Sequence, residues 1–205
     1  MKPIFKKISI WISILFSITL SFYLWKDYSD FKNTPHYHAN FWVFIEWERR
    51  DFSDEKYMED VFACKVWAQK SPKDRVHLHE NNAETIHVHH DWVTWGHFFA
   101  NIWYNFWENY LEDDAWNFYQ NNEKFILHFF INGKKVNNPF NTQILSKDVL
   151  LIAFSEKSEE EILQIYEPQI SKNAWEYNTK PDPASCSWNE YNFFKNLYDI
   201  FGHSH

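Results

Sequence analysis

The stretch Val76-His77-Leu78-His79-Glu80-Asn81-Asn82-Ala83-Glu84-Thr85-Ile86-His87-Val88-His89 decides how this chain folds. In a strand, residues i and i+2 share a face. Val76 and Leu78 therefore alternate against His77 and His79, and Ile86 and Val88 against His87 and His89. A hairpin turning near Ala83 places His77 opposite His89 and His79 opposite His87. Directly opposed Cβ atoms lie ~4.5 to 5.5 Å apart, close enough for imidazoles to converge on a metal at ~2.0 to 2.1 Å. Upstream the same alternation recurs: Ala39, Phe41, Val43 and Ile45 form one apolar face, while His36, His38 and Asn40 fall on the other. Three strands thus turn hydrophobes one way and imidazole pairs the other.

This pattern predicts a transition-metal site with His77, His79, His87 and His89 as first ligands and His36 and His38 as assisting ones. Neutral imidazole suits zinc, copper, nickel or iron, with zinc or copper foremost. Glu80, Glu84 and Asp91 are near enough in sequence to orient or complete the ligand shell. Competing readings are a solvated histidine surface, a pH sensor whose imidazoles repel once protonated, and a cupin-like metalloenzyme built on His77-x-His79 and Glu84. The glycines and proline of the cupin elements are missing. His90, His97 and His128 read as structural, and His203 and His205 as a frayed tail. No Ser-His-Asp order, P-loop or carboxylate pair stands out.

Working outward, Phe41 to Ile45 reads as a strand, Asp54 to Gln69 as a helix broken at Ser71-Pro72-Lys73-Asp74, and Thr94 as the N-cap of a helix reaching about Asn109. Asp113 to Asn122 reads as loop. Phe125 to Ile131, Asn132-Gly133 and Lys134 to Val136 form a hairpin signal. Val149 to Phe154 is a buried strand and Ser158 to Ile165 a charged helix. The fold class is α+β: an N-terminal transmembrane helix, then one mixed, mainly antiparallel sheet domain whose hairpin, crossing helix and later strand follow a β-grasp-like order. The boundaries are a cytoplasmic stub over 1–7, an anchor over 8–25, a linker over 26–35, the histidine-rich domain over 36–188 and an amphipathic tail over 189–205.

The anchor rests on eighteen uncharged residues, Ile8 to Trp25, behind Lys2, Lys6 and Lys7. At ~1.5 Å per residue they match a ~30 Å hydrocarbon core. The basic flank keeps the N-terminus cytoplasmic and the rest of the chain outside. Lys+Arg number 20 against 28 Asp+Glu, a net charge of -8, and without the three leading lysines the remainder is more acidic still. Nucleic acid is excluded as a partner. Cys64 and Cys186, the two cysteines, read as a disulfide in an oxidising compartment, with no Cys-x-x-Cys for thiol exchange. In the tail, Tyr191, Phe194, Leu197, Tyr198 and Phe201 recur at helical spacing before Gly202.

Composition is abnormal in one respect: Gly is 3 and Trp is 12. A lineage that reads UGA as glycine, translated with the standard code, would give this result. Phe44-Ile45-Glu46-Trp47-Glu48-Arg49 repeats the pattern of Phe130-Ile131-Asn132-Gly133-Lys134-Lys135, so Trp47 stands where the second hairpin has Gly133. Asp91-Trp92 would likewise be an Asp-Gly turn.

His36-x-His38-Ala39-Asn40-Phe41, Asp51-Phe52-Ser53, the two His-x-His strands, Val93-Thr94-Trp95-Gly96, Phe130-Ile131-Asn132-Gly133-Lys134 and Pro181-Asp182-Pro183-Ala184-Ser185-Cys186 together resemble a group of small, membrane-anchored, histidine-rich extracytoplasmic proteins of bacteria and archaea. Some members carry a protein-disulfide-isomerase-like label, which implies a Cys-x-x-Cys absent here. The resemblance covers about residues 36 to 188 and implies glycine at the positions of Trp47, Trp92 and Trp188, with Trp95 authentic. The function expected is extracytoplasmic transition-metal binding for storage, delivery or sensing. A metal-dependent enzyme using Glu80 or Glu84 as base, or a disulfide-stapled interaction module, are the alternatives. The membrane is the expected partner through residues 8–25, and the sequence identifies no protein partner.

Overall fold

In this computed structural model residues 3–33, 35–59 and 71–179 are described, with side chains of the first helix described at 10–26 and 29. The chain divides into two units, Met1–Thr34 and Pro35–His205. The first is the helix α1, Pro3–Asn33. Among the described residues no helix is long and apolar enough to cross a membrane, so the span expected over 8–25 is not established there. Ser13, Ser17, Thr19 and Ser21 dilute the apolar run, Lys26 and Asp27 close it, and the side chains of Ile8 and Ser9 lie outside the described ones.

The second unit is mixed α+β, and its larger sheet is mainly antiparallel. Its strands are β1 (Tyr37–Ile45), β2 (Glu48–Arg49), β3 (Val76–His77), β4 (Thr85–Val88), β8 (Ile126–Ile131), β9 (Lys134–Val136) and β10 (Val149–Ser155). They lie in the order β3-β4-β1-β10-β8-β9, with β2 folded back on β1. β1 and β10 run parallel at the centre, with Asn40 beside Val149 and Ile45 beside Phe154. Strands paired this way are covered on both faces and read as nearly continuous apolar runs, as Val149-Leu150-Leu151-Ile152-Ala153-Phe154 does.

Alternation along β1 divides the core in two. Ala39, Phe41, Val43 and Ile45 join Val76, Leu78, Ile86 and Val88 in the larger cluster, with Trp95, Phe98 and Phe99 of the helix α2 (Trp95–Asn101). Trp42 and Phe44 face the other way, against Ile162 and Tyr166 of the helix α3 (Glu159–Tyr166). Each helix begins on a capping box, Thr94 with His97 and Ser158 with Glu161, which satisfies backbone donors that the first turn leaves over. Gly96 is required where it stands. Its N–H donates to the Phe140 carbonyl at 2.8 Å, and a Cβ there would come within 2.7 Å of the same oxygen.

Several expected elements differ. A three-residue 3-10 turn, Glu55–Tyr57, replaces the start of the helix predicted from Asp54, because Met58 is extended and bridges Leu78; the remainder of that helix, with Cys64, lies outside the described residues. α2 ends at Asn101 rather than near Asn109. Trp103 adopts φ 60° and donates to the Ala100 carbonyl while Tyr104 donates to that of Phe99, the closing pattern usually made by glycine. A second, three-stranded sheet of β5 (Asn105–Trp107), β6 (Tyr110–Glu112) and β7 (Phe118–Gln120) occupies the rest of the predicted helix and loop. Phe106 and Leu111 point into the core while their neighbours stay out, a period of two hidden in a short aromatic stretch.

Both two-residue hairpins form: Ile45 pairs Glu48 as Ile131 pairs Lys134. The left-handed residue of the first is Glu46, φ 61°, not Trp47, whereas Asn132 and Gly133 are both left-handed in the second. Left-handed tryptophans occur elsewhere, at Trp92 (63°), Trp103 (60°) and Trp116 (64°). Trp188, Cys186 and the tail over 189–205, including His203 and His205, lie outside the described residues.

Candidate metal centre

The histidines sit where the sheet turns its polar face, on the β3–β4–β1 side. β4 is the middle strand of the three: His87 is opposite His77 on β3 and opposite His38 on β1. The predicted register was different, since the turn centres on Asn82 rather than Ala83. Glu80 and Asn81 take positive φ of 58° and 55°, and the Asn82 side chain accepts from the N–H groups of Glu84 and Thr85. This tight polar turn sets His77 opposite His87 instead of His89. A displacement of two residues leaves side chains on the same faces, so the hydrophobes still enter the core.

Six imidazoles gather there. Ring centroids are 4.7 Å apart for His36 and His38, 4.2 Å for His38 and His87, and 3.7 Å for His87 and His79. The circuit closes through His79 and His77 (5.5 Å), His77 and His89 (5.0 Å), and His89 and His36 (4.6 Å). His36 is half-buried, and the other five are between 1% and 7% exposed. His36, His38 and His87 form a group that could hold a metal ion, each offering a nitrogen within 4.8 Å of the others.

The hydrogen bonds around the rings assign protons. The Asn178 Oδ1 atom accepts from the His38 backbone N–H at 2.9 Å, so it is an acceptor, and His38 Nδ1 at 2.7 Å donates to it. His77 Nδ1 donates to the Lys73 carbonyl at 2.7 Å. In neutral imidazole one nitrogen donates and the other carries a lone pair. The Nε2 atoms of His38 and His77 are therefore lone-pair donors. This is the arrangement in which an outer carbonyl orients a metal-ligating histidine.

His87 Nδ1 lies 2.9 Å from His38 Nε2 and 3.0 Å from His79 Nε2. One proton on His87 Nδ1 can serve only one of two such neighbours well. A cation placed among the nitrogens resolves the competition by coordination.

The covering of the site is polar and comes from far along the chain. Asn40, two residues after His38 on the same face, donates to Asn173 Oδ1 and accepts from the Ala174 N–H. That fixes the short helix α4 (Ala174–Tyr177) over β1, and Tyr177 stands with its ring centroid 5.7 Å from that of His38. Asn178, Asn173 and the Lys73 carbonyl were not foreseen. A backbone carbonyl has no signature, and Asn178 lies 140 residues from His38.

The three carboxylates expected around the site are placed elsewhere. Glu84 pairs with Arg49 at 2.5 Å, while Glu80 and Asp91 are exposed. In the turn itself Glu80 and Asn81 point to solvent, while Glu84 is drawn to Arg49 on β2. His97 is spent on the α2 cap, and half-buried His128 stacks near Phe130, its pKa lowered chiefly by burial.

No family model, curated protein or solved structure matches this chain.

Proposed function

We propose that this domain binds a late first-row transition metal through His36, His38 and His87, to store, deliver or sense it. The observation that carries this reading is the convergence of His38 Nε2 and His87 Nδ1 at 2.9 Å beside His36, in a group whose donors are all imidazole nitrogens. Such a donor set suits zinc and copper and ill suits calcium or magnesium. Burying imidazoles has a desolvation cost, which metal coordination offsets. The test is elemental analysis of the full chain after exposure to zinc or copper and exhaustive desalting, against His87→Ala. Wild type should retain metal and the variant should lose most of it. Equal retention by both proteins refutes the reading.

The domain's architecture fits a β-grasp-like description: two central parallel strands, β1 and β10, flanked by β4 and by the β8–β9 hairpin. We place the chain at a membrane through residues 8–25, with the domain outside the cytoplasm. The supporting observations are the uncharged run between Lys7 and Lys26 and the exposure of Ile10, Trp11, Leu15, Phe16 and Phe22 on α1. Extraction of cell membranes with alkaline carbonate tests this: the chain should stay in the pellet, and release into the supernatant refutes it.

A further inference from the structure

We infer that Asn40 is a positioning residue of the metal centre: it docks the segment 173–178 on β1, and the last residue of that segment keeps His38 in the tautomer that can bind metal. The inference rests on the metal-binding reading above and states how that site is controlled. The segment has little apolar surface to hold it down. Ile170 enters the smaller core cluster, but of residues 171–179 only Ala174 is buried. Segments with so few buried apolar contacts open at low free energy. Side-chain hydrogen bonds therefore decide whether 173–178 lies on the sheet.

Asn40, wholly buried, supplies those bonds at the first end. Its Oδ1 accepts from the Ala174 N–H at 3.0 Å. Its Nδ2 group is shared among Asn173 Oδ1 at 3.0 Å, Thr85 Oγ1 at 3.1 Å and the Glu84 carbonyl at 3.1 Å. At the other end Asn178 Nδ2 donates to Ser146 Oγ at 3.0 Å. That bond turns the amide so that Oδ1 accepts from both the backbone N–H and Nδ1 of His38. His38 and Asn40 are two residues apart on one face of β1, and they take hold of the opposite ends of α4. The consequence is chemical. A neutral histidine in water carries its proton mainly on Nε2, which leaves the wrong nitrogen free for this site. The docked segment reverses the preference, holding the proton on Nδ1 and leaving the Nε2 lone pair to the metal. Once 173–178 lifts, His38 regains Nε2–H and the site loses a ligand. Asn40 thus sets affinity without touching the ion, and by linkage a bound ion holds the segment down.

The experiment uses the full chain. Zinc affinity is measured by competition with a chelating dye, and the His38 tautomer of the zinc-free protein by nitrogen-15 magnetic resonance, its signals assigned by their loss in His38→Phe. Wild type should bind zinc and show the proton on Nδ1. Asn40→Leu, close in volume but unable to hydrogen-bond, should bind zinc about 10-fold more weakly and show the proton on Nε2. Ser146→Ala, at the exposed tether, should move both readouts the same way by less. If Asn40→Leu fails to give a cooperative melt, Ser146→Ala decides by the same two readouts. Unchanged affinity, or weaker binding with the proton still on Nδ1, overturns the positioning role and leaves metal binding intact. A wild-type chain that holds neither zinc nor copper overturns both.

Discussion

Replacing Trp92, Trp103 and Trp116 together by glycine should make the apo domain more stable, although it removes three large aromatic side chains. Each sits at φ between 60° and 64°, where an L-residue with a Cβ is disfavoured by roughly 1 to 2 kcal/mol. Burial does little to offset this, because the three are 78%, 54% and 82% exposed. Two losses oppose the gain. Glycine makes the unfolded chain more flexible, at about 0.5 to 1 kcal/mol per site. Trp103 also loses the Lys73 ammonium 4.8 Å from its ring centroid, worth about 0.5 to 1 kcal/mol. The net is a stabilisation of about 1 to 2 kcal/mol. With a urea dependence of ~2 kcal/mol/M, the unfolding midpoint should rise by roughly 0.5 to 1 M. Far-ultraviolet circular dichroism is the assay, since tryptophan emission itself changes. Trp95→Gly is the contrast: fully buried at the start of α2, it should cost at least 3 to 5 kcal/mol. A midpoint that falls in the triple variant would refute the backbone argument.

Other outcomes follow from the same structure. Mass spectrometry of the protein isolated from its source organism should find glycine at positions 92, 103 and 116 and tryptophan at 95; tryptophan at the three exposed sites would exclude the codon reading. Asn178→Ala removes the acceptor that fixes the His38 tautomer, and metal affinity should drop about 10- to 100-fold with little change in apo melting temperature; unchanged affinity would remove Asn178 from the site. Burial lowers the His128 pKa below 6.5, so the unfolded chain binds more protons there and stability declines as pH falls through 6.5. In His128→Phe the urea midpoint should fall less between pH 7.5 and 5.5 than in wild type, and equal falls would dismiss this contribution.

Strand alternation made most of the candidate centre legible. Apolar residues at 76, 78, 86 and 88 could enter the core only by turning His77, His79, His87 and His89 the other way, and the same held for Ala39 and Phe41 against His38. Thr94 and Ser158 announced their helices through local chemistry that acts within one turn. What escaped was long-range or carried by the backbone. The end of α2 depends on a left-handed residue written as tryptophan. The β5–β7 sheet comes from three-residue strands too short to show a period. The supports of His38 and His77 are an asparagine 140 residues away and a main-chain carbonyl.

The turn over Glu80–Glu84 also dictates which length changes the site can survive. Removing or adding two residues there would slide β3 along β4 yet keep every imidazole above the sheet, trading one histidine neighbour for another. Removing one would send His77 and His79 downward among phenylalanines and lift Val76 and Leu78 among the remaining buried imidazoles. Natural variation in this loop should therefore come in even steps, and an engineered odd step is a direct way to take His77 and His79 off the histidine face while leaving His38 and His87 in register beside His36.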